Sequence, residues 1–100
     1  MIVVVGYLTI DPAKRAEAEA AIITAMAATR TEDGNIDYRF STDLNDPNRI
    51  NVVEQWEDKA AMDAHMTHPN LAEFMTAVGP CVSGPLGFVA HEVASSTTIM

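Results

Sequence analysis

Two stretches decide the fold: Ile2-Val-Val-Val-Gly-Tyr-Leu-Thr-Ile10 and Ile50-Asn-Val-Val-Glu-Gln-Trp56. In the first, both alternating sets are apolar. Ile2, Val4, Leu8 and Ile10 lie on one side, and Val3, Val5 and Tyr7 on the other. In the second, Val52 and Val53 again make both sides apolar. A strand with one wet face alternates apolar with polar, whereas a strand covered on both faces does not. Both stretches therefore read as central strands of a sheet.

The elements between and around them follow from local signals. Asp11-Pro12 gives a helix N-cap followed by proline at the first helical position. The Ala-rich run to about Arg30 then predicts a helix. Ala18, Ile22, Ala25, Met26 and Thr29 follow its 3.6-residue period and face a sheet, which small alanines let come close. Glu32-Asp33-Gly34-Asn35 is a turn in which Gly34 can take positive φ. From Ile36 to Thr42 the chain alternates, Ile36, Tyr38 and Phe40 against Asp37, Arg39 and Ser41, as an edge strand does. Asn45-Asp46-Pro47-Asn48 is a hairpin turn. Asp58 caps a second helix through Ala60, Ala61, Met62 and His65. Pro69 interrupts it, and Leu71, Phe74, Met75 and Val78 continue at helical spacing. Gly79-Pro80 and Gly84-Pro85 break the chain. Leu86 to Val93 is a fourth strand, and a polar tail, frayed over 95–100, follows.

The order β-α-β-β-α-β predicts an α+β, ferredoxin-like domain with an antiparallel sheet, and that topology makes the first and third strands central. Pattern and topology agree. Helices cover only one face, yet apolar side chains line both. The uncovered face predicts a homodimer packed sheet to sheet.

At 100 residues, 48% apolar and 20% charged, the chain is one domain, residues 1–100, and not a disordered segment. Its net charge of −8 argues against nucleic acid and anionic lipid as partners. Every Lys and Arg lies between Lys14 and Lys59, so the C-terminal part has no clamp for a phosphate and points to a neutral, apolar ligand. Cys81 is the single cysteine, which excludes an intrachain disulfide and reads as a small buried hydrophobe. The N-terminus has no basic region before its short apolar run, and no stretch approaches a membrane span. The expected location is cytoplasmic.

Phosphate loops, zinc pairs, nucleophile elbows and dinucleotide fingerprints are absent. His65 and His68 stand three apart. A metal would need a third ligand such as His91 or Glu54, and the pair reads first as a helix end, His68 near a C-terminal dipole. No metal is expected. Glu54 shares the face of Ile50, Val52 and Trp56 in an apolar central strand, so its carboxylate must be paired or raised in pKa. Trp56 reads as a core anchor or pocket wall. Tyr38 and Tyr7 can each donate a phenolic hydrogen bond or simply pack a ring.

Glu32-Asp-Gly-Asn-Ile-Asp-Tyr38 resembles the E-x-G-x-x-x-Y segment of the antibiotic biosynthesis monooxygenase family. The resemblance runs on through Asp46-Pro47, Glu54-Gln-Trp56, Asp58-Lys-Ala-Ala-Met-Asp-Ala-His65 and Pro69 to Phe74. It implies a dimeric α+β barrel with a pocket between sheet and helices. It also implies oxidation of a small aromatic phenol or quinol by O₂ with no cofactor, neither metal, flavin nor haem. An electron-rich phenolate can itself reduce O₂, so the protein binds the ring, removes a proton and excludes water. The residues implied for catalysis are His65, Glu54 and Tyr38, with His65 as proton acceptor. Trp56, Tyr7, His91 and Phe74 are implied for substrate binding. The alternatives are a non-catalytic binder of a small apolar metabolite, or an isomerase or cyclase on the same scaffold.

Overall fold

The computed structural model describes residues 1–100. Its elements are β1 (Ile2–Thr9), α1 (Arg15–Thr29), β2 (Asn35–Thr42), β3 (Arg49–Trp56), α2 (Lys59–Met66), α3 (Pro69–Val78) and β4 (Gly87–Glu92). The sheet is antiparallel throughout, in the order β2-β3-β1-β4. The two strands apolar on both sides are thus central, as their pattern predicts. The chain is an α+β domain of ferredoxin-like topology.

Each helix start has its own chemistry. The Asp11 carboxylate accepts from the Ala13 amide, but the turn that follows, Pro12–Lys14, is a 3₁₀ turn, and α1 proper begins only at Arg15. Asp58 accepts from the Ala61 amide at 2.8 Å and starts α2. Pro69 then sits in the first turn of α3. His68 is its N-cap, with Nδ1 accepting from the Asn70 amide at 3.0 Å. His68 also stands just past the α2 C-terminus, its backbone N–H donating to the His65 carbonyl at 3.0 Å, while its side chain serves the start of α3.

Strand register fixes what each face carries. On the helix side, Tyr38, Glu54, Val4 and Ala90 lie abreast across the four strands, and Phe40, Val52, Gly6 and Phe88 form the next row. On the opposite side the rows are Arg39, Val53, Val5, Val89 and Asp37, Gln55, Val3, His91. A bulge between Asn35 and Asp37 leaves Ile36 without a partner and 52% exposed, although its parity matches Tyr38. Gly34, just before it, takes φ +80°, and a Cβ there would lie 2.5 Å from that of Ala61. The turn therefore needs glycine both for its backbone and for the close approach of α2.

Helix packing gives two clusters. Leu8, Ile10, Ala18, Ile22, Ala25, Ile50, Phe74, Val78 and Cys81 form the larger. Ile2, Val4, Tyr38 and Trp56 form the smaller, with Met26, Phe40, Ala61 and Met62 packed around them. Met75 departs from expectation: it lies 59% exposed on the outer side of α3. Cations tie elements together. Lys14 donates to the Pro80 carbonyl at 3.0 Å, Arg30 to that of Tyr38 at 3.1 Å, and Arg15 to Pro47 and Thr42 in and beside the β2–β3 turn. Beyond β4 the chain has no regular structure, and Ile99 and Met100 are fully exposed. No helix is long and apolar enough to cross a membrane.

Candidate functional site

Glu54 is where the helix side of the sheet departs from apolar packing. It is 8% exposed and directly opposite Tyr38 on β2. Trp56, two residues further along the same face, donates its indole N–H to Glu54 Oε1 at 3.0 Å. The bond is local to the strand, since alternation puts both side chains on one side.

His65 closes over this pair from α2. Its ring lies 4.8 Å from the Trp56 ring and meets that of Tyr38 edge-on at 5.5 Å. It is 3% exposed, and Tyr38 and Trp56 are as deeply buried. His65 Nδ1 lies 2.9 Å from Glu32 Oε1. The other oxygen of Glu32 accepts from the Asn70 side-chain amide at 3.1 Å. Strand β3 thus supplies Glu54 and Trp56, β2 supplies Tyr38, α2 supplies His65, and the turn after α1 supplies Glu32.

The surroundings set the charge of each group. Burial pushes the Glu54 carboxyl above the usual carboxylate range, and the Trp56 N–H and nearby His65 only partly offset this. Burial likewise raises the Tyr38 phenol, and the Glu54 carboxylate raises it further against a hydrogen bond with Thr29. Tyr38 therefore remains a neutral phenol, able to donate a hydrogen bond rather than remove a proton.

Other residues fall elsewhere. Tyr7 and His91 lie on the open face of the sheet, on the far side from Glu54, and cannot share its site. Tyr7 stacks under the Arg49 guanidinium, 4.2 Å from its ring centroid. Phe74 belongs to the larger core cluster and reaches Tyr38 only through Phe40, with ring centroids 5.5 Å and 5.3 Å apart along that path. It also floors a groove of about 450 Å³ between α1 and α3, which Asn70 borders. No group of three or more His, Cys, Asp or Glu side chains converges as a metal would require. Glu32 is the site residue that residue-by-residue reading missed. Its only signal is the first position of the E-x-G-x-x-x-Y segment.

The family model "Antibiotic biosynthesis monooxygenase" matches residues 1–77, which include Tyr38, Glu54, Trp56, His65 and Glu32. The chain belongs to the antibiotic biosynthesis monooxygenase family. Among curated relatives, "Putative monooxygenase YcnE" of Bacillus subtilis is 29% identical over 94% of this chain and 99% of its own length. "Uncharacterized protein sll1783" of Synechocystis is 30% identical over 98% of this chain and 67% of its own length. Among solved structures, an antibiotic biosynthesis monooxygenase described as putative, from Deinococcus radiodurans, superposes with a TM-score of 0.92 at 27% identity. That match covers 100% of this chain and 99% of the other. In this member of the family, the candidate site is a buried set of ionisable and aromatic groups held by three elements and a turn.

Proposed function

We propose that the protein is a cofactor-independent oxygenase for a small aromatic phenol or quinol, such as an anthrone. The observation that carries this is the burial of Glu32, Glu54, His65 and Tyr38 together inside an otherwise apolar helix–sheet layer. Burying ionisable groups is unfavourable, and a fold that only needed packing gains nothing from them. Here they face aromatic rings, the surroundings a flat phenol requires.

In this reading the substrate ring is bound beside Trp56 under α2. That helix is eight residues long and rests on the sheet through Ala61, Met62 and His65. His65 accepts the acidic proton, and Tyr38 donates to the developing oxyanion. The resulting carbanion or phenolate reduces O₂ directly. For an activated methylene the balance is CH₂ + O₂ giving C=O + H₂O, and for a hydroquinone with a free ring C–H it is hydroquinone + O₂ giving hydroxyquinone + H₂O. In both, one oxygen atom enters the product and the other leaves as water. The apolar walls shield the intermediate from solvent.

The functional unit in this reading is a homodimer joined through the open sheet face. Val5 and Val89 there are 51% and 56% exposed and lie side by side. An apolar patch of this kind marks an association surface.

Oxygen uptake on a panel of anthrones and hydroquinones tests the activity. The expected result is stoichiometric O₂ consumption, label from ¹⁸O₂ in the product, and a fall of roughly 10²-fold or more in His65→Ala. Equal uptake by His65→Ala overturns the assignment. The close packing of Trp56, His65 and Tyr38 favours a second reading, a non-oxidising binder or module. It predicts no uptake by the wild-type protein on any of these substrates.

A further inference from the structure

Two carboxyl groups lie near the ring of His65, Glu54 and Glu32, and Glu32 is the one that hydrogen-bonds it. Its Nδ1 points at Glu32 across 33 residues of sequence, with side-chain exposures of 3% and 6%. We propose that Glu32 is a positioning residue that keeps neutral His65 in the tautomer with hydrogen on Nδ1. Nε2 is then left as the basic atom of the site. The catalytic half of this inference rests on the function proposed above, whereas the tautomer itself does not.

The donors and acceptors around Glu32 lead to this assignment. An ionised carboxylate is acceptor only, and one this buried must be met by donors. Glu32 has two: the Asn70 amide at one oxygen and the His65 ring at the other. Asn70 presents its amide nitrogen, so Oε2 acts as an acceptor. Oε1 then takes hydrogen from Nδ1. The hydrogen bond made by one ring nitrogen sets which nitrogen carries the proton. Free histidine prefers hydrogen on Nε2, so Glu32 reverses the ordinary choice. When His65 accepts a proton at Nε2, the imidazolium formed lies against the Glu32 carboxylate and is stabilised by it. Trp56 and Tyr38 fix the ring plane, and Glu32 fixes its rotation within that plane.

The sequence alone offers no reason to join these residues. Glu32 lies in a polar turn that reads as solvated, and His65 on a helix 33 residues later. The positive φ of Gly34 and the Ala61 contact bring the turn against α2. Asn70 binds Glu32 from the start of α3, so both helical segments after β3 converge on one carboxylate.

Nitrogen-15 NMR of the imidazole groups in the free wild-type protein, at mildly alkaline pH, reads the tautomer without substrate. The expected result is a protonated Nδ1 and an unprotonated Nε2 for His65, assigned by the loss of its signals in His65→Ala. Glu32→Ala is expected to return the ring to the Nε2–H form, while Asn70→Ala retains Nδ1–H. Hydrogen on Nε2 of His65 in the wild-type protein overturns the inference; where His65→Ala does not fold, the signals are assigned by elimination with His68→Ala and His91→Ala. On a substrate that the wild-type protein oxidises, Glu32→Ala is expected to lower kcat roughly 10- to 100-fold with KM little changed, by analogy with the loss when the partner that orients a metal-bound histidine is removed. A change confined to KM overturns the positioning role. A protein that shows Nδ1–H but consumes no oxygen overturns the proposed oxidation and leaves the Glu32–His65 assignment standing.

Discussion

Two neighbouring rows of the sheet invert the usual distribution of side chains. On the helix side the row runs Tyr38, Glu54, Val4, Ala90, and on the opposite side Arg39, Val53, Val5, Val89. The covered row holds a buried carboxyl and a buried phenol. The uncovered row exposes two valines by half or more. In a self-sufficient monomer the expectation is the reverse, with charge outside and aliphatic side chains inside. The inversion suits the division of work proposed above: reactive groups on the inner face, and on the outer one an apolar surface for a second copy of the chain.

The inner face is most sensitive at Trp56, which is fully buried and donates to Glu54. Trp56→Ala is expected to destabilise the fold by about 3–5 kcal/mol, measured by chemical denaturation. A loss below about 1 kcal/mol means that the smaller cluster is not part of the cooperative core. The outer face is most sensitive at Val5, which Val53 and Val89 flank. Val5→Asp is expected to halve the mass seen by analytical ultracentrifugation while the secondary structure persists. An unchanged mass removes the open face as the interface. The smallest effect is a pH dependence. Burial raises the Glu54 pKa in the folded state, so its stabilising contribution is fully present below about pH 4.5, the ordinary value, and lost as pH rises through the raised one. Glu54→Gln removes this titration. The melting temperature of the variant is therefore expected to gain on that of wild type as pH rises above about 4.5. Parallel melting curves across that range indicate that Glu54 is not buried in solution.

Much of this was legible in the residues. The apolar runs on both sides of β1 and β3 place them centrally without any structure. Glu54 and Trp56 share a parity with Ile50 and Val52, so their common face follows from alternation alone. Tyr7 and His91 show where such reading stops. Tyr7 has the opposite parity to Val4, but whether that places it with Glu54 depends on inter-strand register, which is set by long-range pairing. Ile36 fails for a local reason, since one bulged residue cancels the alternation it otherwise obeys. Glu32 fails for a tertiary one. A carboxylate in an Asp-Gly-Asn turn looks solvated until two helical segments fold over it.

The internal ties made by the basic side chains have an electrostatic consequence. Lys14, Arg15 and Arg30 point their charges at carbonyl groups within the fold. These cations are few, and the net charge is −8, so a pair of chains carries −16, twice that value. Two such bodies repel at long range, and in the proposed homodimer contact between their apolar faces opposes the repulsion. Added salt shortens the reach of that field to about 8 Å at physiological ionic strength. In the proposed homodimer, association is thus coupled to ionic strength, tighter in a salty medium and looser in a dilute one.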